Sequence, residues 1–198
     1  KDFVPPIIAL VALLVLPHLL YAAGLTLKTA TDVVILSIAC LGLNILVGST
    51  GLVSFGHGAW FGLAAYAFAL SQRHWWPGAL FLPLLFALAF MAVTAVLMGA
   101  LMLRRRGVYF SLLTLAFTAV LWAVSFRWTD FTGGENGLGN VVRPHSLGLN
   151  LDDNWTYYWV TAAVGLAMVF VLWRFLHSPV GTVPVAIREN EQRARFIG

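Results

Sequence analysis

The chain has 198 residues, 60% of them apolar and only 10% charged, with 12 Lys+Arg against 8 Asp+Glu. Soluble domains carry about 25% charged residues, so this composition excludes an ordinary soluble domain and points to a polytopic membrane protein. Its cations stand at the ends of apolar runs, not in basic tracts interleaved with aromatics, which argues against nucleic acid as a partner and for a lipid bilayer.

A helix that crosses a bilayer needs about 20 mostly apolar residues. The first candidate is Val4–Ala23. It also resembles a secretory leader, because Ala22-Ala23 could serve as a cleavage site, but further apolar segments follow at once and favour a span. The second is Val33–Val47 and the third Gly51–Leu70; both are short and glycine-rich, open to being broken or re-entrant. The fourth is Leu80–Leu103 and the fifth Val108–Phe126. A polar loop, Arg127–Asn154, leads to the sixth, Trp155–Phe175, and a polar tail follows over Ser178–Gly198. The expected fold class is therefore all-α: one polytopic membrane bundle of about six segments over 1–198. Lys1 in place of Met, and Gly198 inside a helical pattern, read as the edges of a fragment.

Six spans place eight cations on one side, among them Arg104, Arg174, Arg188 and Arg193, and four on the other, Lys28, Arg73, Arg127 and Arg143. By the positive-inside rule the first side is cytoplasmic and holds both ends. The lone Cys40 can form neither an intrachain disulfide nor a zinc site, and reads as a small buried residue.

The densest pattern is "GSTGLVSFGHGAWFGLAAYA" at 48–67. A dinucleotide fingerprint is excluded by the spacing, the lack of a preceding strand and the lack of an acidic residue about 20 positions on. Metal or haem ligation by His57 lacks a second histidine at helical spacing. Ser54, Gly58 and Gly62 recur at every fourth position, as in a small-residue face for close helix packing, so Gly58→Leu or Gly62→Leu should abolish assembly. His57 then reads as an interior hydrogen-bonding residue that could line a path. Asn44 in "LGLNILVG" could bond a neighbouring helix or a solute. In the outer loop "TDFTGGENGLG", Glu135 and Asn136 stand at the mouth of the membrane region. No carboxylate pair, nucleophile or metal cluster supports a membrane enzyme, which remains an alternative resting on His57 alone; a non-transport scaffold is another. In the tail, Pro184 suits the first turn of a new helix, on which Ile187, Ala194 and Ile197 would share one face.

"LGLNILVGSTGLVSFGHGAWFGLAAY", "RRRGVYFSLLTLAF", "TGGENGL" and "SPVGTVPVAIRENEQRARFIG" occur in the order and spacing of the LivM-type permeases of branched-chain amino acid ABC importers, and from about Thr31 to Gly198 the chain resembles that family. The resemblance implies a multi-pass permease subunit of the bacterial inner membrane, working by alternating access. Its implied partners are a second related permease, two cytoplasmic ATPase subunits and a periplasmic substrate-binding protein. It implies no cofactor in this chain, with ATP bound and hydrolysed on the partner subunits. The substrate would be a branched-chain amino acid, or, as in relatives, another amino acid, urea or a short amide. The tail 178–198 resembles the ATPase-coupling segment, through Ile187, Arg188, Glu189, Glu191, Arg193, Ala194 and Gly198. Gln192 and Arg193 depart from the importer motif there, and Pro184 is unexpected within it. The candidate substrate path is Asn44, Ser54, His57, Glu135 and Asn136.

Overall fold

A computed structural model describes residues 3–104, 107–139, 141–143 and 150–197. The elements are helices α1 (Val4–Ala22), α2 (Leu27–Asn44), α3 (His57–His74), α4 (Phe81–Met102), α5 (Val108–Arg127), α6 (Thr129–Thr132), α7 (Asn154–Leu176) and α8 (Pro179–Ile197). A π-helical turn at Ile45–Ser49 continues α2, and a 3-10 turn spans Gly134–Asn136. Among the described residues there is no strand.

Among the described residues five helices are long and apolar enough to cross a membrane: α1, α2 with its π turn, α4, α5 and α7. Their bounds match the expected first, fourth, fifth and sixth segments within two residues. The other two segments differ. The second begins at Leu27, six residues earlier than expected, because Thr26 is extended and starts the helix ahead of Lys28 and Asp32. The third does not begin at Gly51. Residues 51–56 are non-helical, and α3 starts at His57 and runs to His74, where its last turn carries Gln72, Arg73 and His74. That polar end keeps α3 outside the five, although its 18 residues reach roughly 27 Å.

The described residues group into two compact units: α1, α2, α7 and α8 in one, α3 to α6 in the other, with the chain passing between them at Gly51–Leu52. The core of the first is small. Ala30 and Val34 of α2 meet Tyr158 and Ala162 of α7, flanked by Leu13, Leu16 and Leu20 of α1. Gly165 lets the two helices close up: a Cβ there would stand 3.3 Å from Val34 Cγ1. This is the close packing by small residues that membrane helices need in the absence of a hydrophobic drive. Much of the remaining surface is exposed Leu, Val and Phe, as a lipid-facing wall requires. Cys40 belongs to that exposed surface, not to the core.

Pro17 interrupts α1. Proline has no N–H, so it cannot serve the carbonyl four residues earlier, here Leu13. The Tyr158 hydroxyl of α7 donates to the Leu13 oxygen at 2.6 Å, and the tyrosine is completely buried. At the head of α7, Asp153 accepts from the Thr156 backbone N–H and its hydroxyl, each at 2.9 Å. These bonds hold the Asp153 carboxyl below its ordinary range, as suits an N-cap.

The Leu13–Tyr158 bond can be tested by a double-mutant cycle. Tyr158→Phe should destabilise the protein in detergent by about 1–3 kcal/mol, because it leaves a buried carbonyl unpaired. In a Pro17→Ala background, where residue 17 regains its N–H, the same substitution should cost distinctly less. Equal losses in the two backgrounds, read by thermal unfolding, would show that the tyrosine does not serve that carbonyl.

Candidate functional site

The stretch between α2 and α3 is the most irregular backbone within the apolar region of the chain. First comes the π turn, where Thr50 returns its hydroxyl to the Leu46 carbonyl. Gly51 then turns the chain at φ +70°, a conformation that favours glycine. Gly51 N–H still donates to the Val47 carbonyl at 3.2 Å, but residues 52–56 run outside any helix, which within a membrane is tolerated only where protein or a cavity shields the backbone.

In the second unit α5 supplies that shield. Ser111 Oγ donates to the Val53 carbonyl at 2.6 Å. Thr114 Oγ1 accepts the Phe55 N–H at 3.1 Å and donates to the Ser111 carbonyl at 2.8 Å. Thr118 completes the ladder by donating to the Thr114 carbonyl at 3.0 Å. Ser54 closes the turn, its hydroxyl accepting the Gly56 N–H at 3.3 Å. Ser54, Ser111 and Thr114 are all buried. Gly56 lies so close to α5 that a Cβ on it would stand 2.5 Å from the Thr114 carbonyl oxygen.

This geometry corrects the expected stripe. Ser54 precedes α3, so it shares no helical face with Gly58 and Gly62. A Cβ at Gly58 or Gly62 would meet nothing within 4 Å. Within this unit neither seats a neighbouring backbone; Gly56 does. Gly58 and Gly62 instead line a largely apolar cavity of about 950 Å³ among α3, α4, α5 and α6, with Trp75, Phe86 and Trp122 on its walls. Its polar points include His74, Thr118, Ser125 and Thr132.

The five candidate path residues are not gathered in that cavity. Asn44 ends α2 in the first unit, and a Cβ on Gly48 would lie 3.3 Å from its side-chain oxygen, so Gly48 leaves room for the carboxamide. Ser54 is buried in the serine–threonine ladder, and His57 opens α3, half-buried. Glu135 and Asn136 are exposed in the 3-10 turn. That turn is built on Thr132, whose hydroxyl bonds to the Ser125 and Trp128 carbonyls at 2.6 and 2.8 Å. Gly133 at φ +82° packs directly on the Gly137 carbonyl. The motif around Glu135 thus caps α5.

The tail begins one turn earlier than Pro184 suggests. Ser178 Oγ accepts the Gly181 N–H at 3.2 Å and donates to the Phe175 carbonyl at 2.6 Å. Pro179 is then the first helical residue, where its fixed φ fits. Gly181 abuts the Phe175 carbonyl too closely for any side chain, which sets a sharp α7–α8 corner. α8 is not one straight helix either. Asn190 is extended at φ −159°, ψ 101°, and its side-chain oxygen accepts the Arg193 N–H at 3.0 Å, capping a second segment. The expected face joining Ile187 to Ala194 and Ile197 is broken there. Ile187, Glu189 and Arg193 are exposed and Ala194 is half-buried. Gly198 and the side chains of Glu191 and Ile197 lie outside the described residues. Arg188 points back at its own unit: its guanidinium donates to the Gly48 carbonyl, and its stem covers Gly51, where a Cβ would fall 2.9 Å from Arg188 Cγ.

Residues 25–198 match the family described as "Branched-chain amino acid transport system / permease component". The chain is 30% identical over 216 aligned positions to the high-affinity branched-chain amino acid transport system permease protein LivM of Escherichia coli K12, covering 97% of this chain and 50% of that protein. It is 30% identical over 193 positions to the protein of the same name in Salmonella typhimurium LT2, covering 85% of this chain and 45% of that one. The chain therefore spans about half the length of these curated relatives. No solved structure matches.

The two classes of glycine make opposite predictions. Gly56→Ala should lower stability by about 1–3 kcal/mol, the cost of overpacking against a backbone that cannot yield. Gly58→Ala and Gly62→Ala should be neutral or stabilising by up to about 1 kcal/mol, from better helix propensity in open space. Thermal unfolding and monodispersity in detergent separate the cases; a tolerated Gly56→Ala would refute the close α5 contact.

Proposed function

Because the chain belongs to the branched-chain amino acid transport permease family, we propose that it contributes to the permease of an ATP-driven importer for branched-chain amino acids in the bacterial inner membrane. Family membership across residues 25–198 carries this reading, and five membrane-crossing helices agree with it. The interrupted α2–α3 backbone gives it a physical basis. Transporters place their sites at broken helices, where unwound backbone meets the solute path. Asn44 stands before this interruption in the first unit, and Ser54 and His57 stand along it in the second, whose own cavity beside α3 has apolar walls suited to aliphatic side chains.

In this reading two cytoplasmic ATPase subunits bind and hydrolyse ATP, a second related permease completes the membrane domain, and a periplasmic binding protein delivers the solute. The first segment of α8 presents Ile187 and Glu189, and the second presents Arg193, to the ATPase subunits. With α3 as a sixth span, both ends of the sequence face the cytoplasm.

The full-length protein, reconstituted with its partner subunits in proteoliposomes, should take up labelled leucine only with internal ATP, and isoleucine and valine should compete. Uptake of urea or a short amide in place of leucine would reassign the substrate; no ATP-dependent uptake of any of these would overturn the reading. In a Cys40→Ser background, Ile187→Cys and Arg193→Cys should each crosslink to an ATPase subunit. Failure of both in an active complex would remove α8 as the docking element.

A further inference from the structure

We infer that Arg188 is a positioning residue that ties the coupling segment to the interrupted end of α2. The inference rests on the importer reading above. Arg188 is exposed like its neighbours Ile187 and Glu189, but its guanidinium turns back to its own unit.

Four observations carry it. First, the guanidinium of Arg188 donates to the Gly48 carbonyl, 140 positions away in sequence. That carbonyl belongs to the last turn of the α2–π segment, where the helix dipole favours a cation. Second, the stem of Arg188 lies over Gly51, whose positive φ and missing side chain make room for it. Third, Gly48 and Gly51 bracket the point at which α2 ends, and Gly51 is the last residue before the chain enters the second unit. Fourth, α8 is itself segmented: the corner at Gly181 fixes its start on α7, and the extended Asn190, just beyond Arg188, ends its first segment. That first segment is thus a short lever, held at one end by α7 and latched near the other by Arg188. Displacing the lever pulls on residues 48–51, the junction at which the π turn gives way to non-helical backbone.

The importer reconstituted from the full-length protein gives the test, with leucine uptake and ATP hydrolysis measured side by side. Arg188→Ala should lower uptake per ATP hydrolysed by about fivefold, the worth of one partly exposed charge-assisted hydrogen bond, while hydrolysis continues. Arg188→Lys keeps a stem and a donor and should stay within about twofold of wild type. An unchanged uptake-to-hydrolysis ratio in Arg188→Ala would overturn the inference. A second measurement does not depend on transport. Spin labels at positions 47 and 187, in a Cys40→Ser background, should give one narrow distance distribution, with and without ATP, that broadens in Arg188→Ala. A wild-type distribution as broad as that of the variant would equally overturn the latch. If the wild-type importer moved no solute while the labels behaved as expected, the importer reading would fail and the latch would stand.

Discussion

No water is available in the hydrocarbon of a membrane to satisfy a free backbone N–H or carbonyl, so every departure from helix must be repaired by protein. That constraint organises this structure. Pro17 removes a donor from α1, and the Tyr158 hydroxyl replaces it. Residues 52–56 lie outside any helix, and Ser111 and Thr114 bond the Val53 carbonyl and the Phe55 N–H. At the end of the π turn, Arg188 donates to the Gly48 carbonyl. In each case the repairing side chain lies on a helix distant in sequence, so the repair also fixes which helices are neighbours. Fold and irregularity have the same cause.

The glycines follow the same logic. Where another backbone comes close, glycine is required, as at Gly56 against α5 and Gly181 in the α7–α8 corner, while Gly165 gives tight room to the Val34 and Ile38 side chains of α2. Gly58 and Gly62 face open space within their unit and are a different kind of residue, despite sitting in the more conspicuous pattern. Spacing alone cannot separate the two kinds. A recurrence at every fourth position signals a packing face only if the whole stretch is helical, and here the helix begins three residues after Ser54.

Features that depend on composition over a long window are legible in the sequence: the membrane class, four spans within two residues, and the family. Sequence reasoning fails where a single local residue decides. The start of α2 depends on Thr26, a polar position that an apolar-run criterion skips. The start of α8 depends on Ser178 and Gly181, so the tidy first-turn position of Pro184 misleads. Asn190 reads as one more polar residue of a solvated helix, yet its side chain caps the next segment. The α2–α7 packing has a readable signal in Ala162 and Gly165, but a far sparser one than the glycines of 48–67.

Repair by hydroxyls and by one arginine has a mechanical consequence. A continuous α-helix moves as a rod, because changing it locally breaks bonds that nothing replaces. An interrupted segment held by side chains can exchange one partner for another at little net cost, since each such bond contributes only about 1 kcal/mol. The α2–α3 junction is held in this second way on both sides of Gly51, by Arg188 within the first unit and by Ser111 and Thr114 within the second. Within each unit the chain beside Gly51 can therefore shift by exchanging such partners. On the first unit's side that exchange would involve Arg188 of α8, which bonds the Gly48 carbonyl.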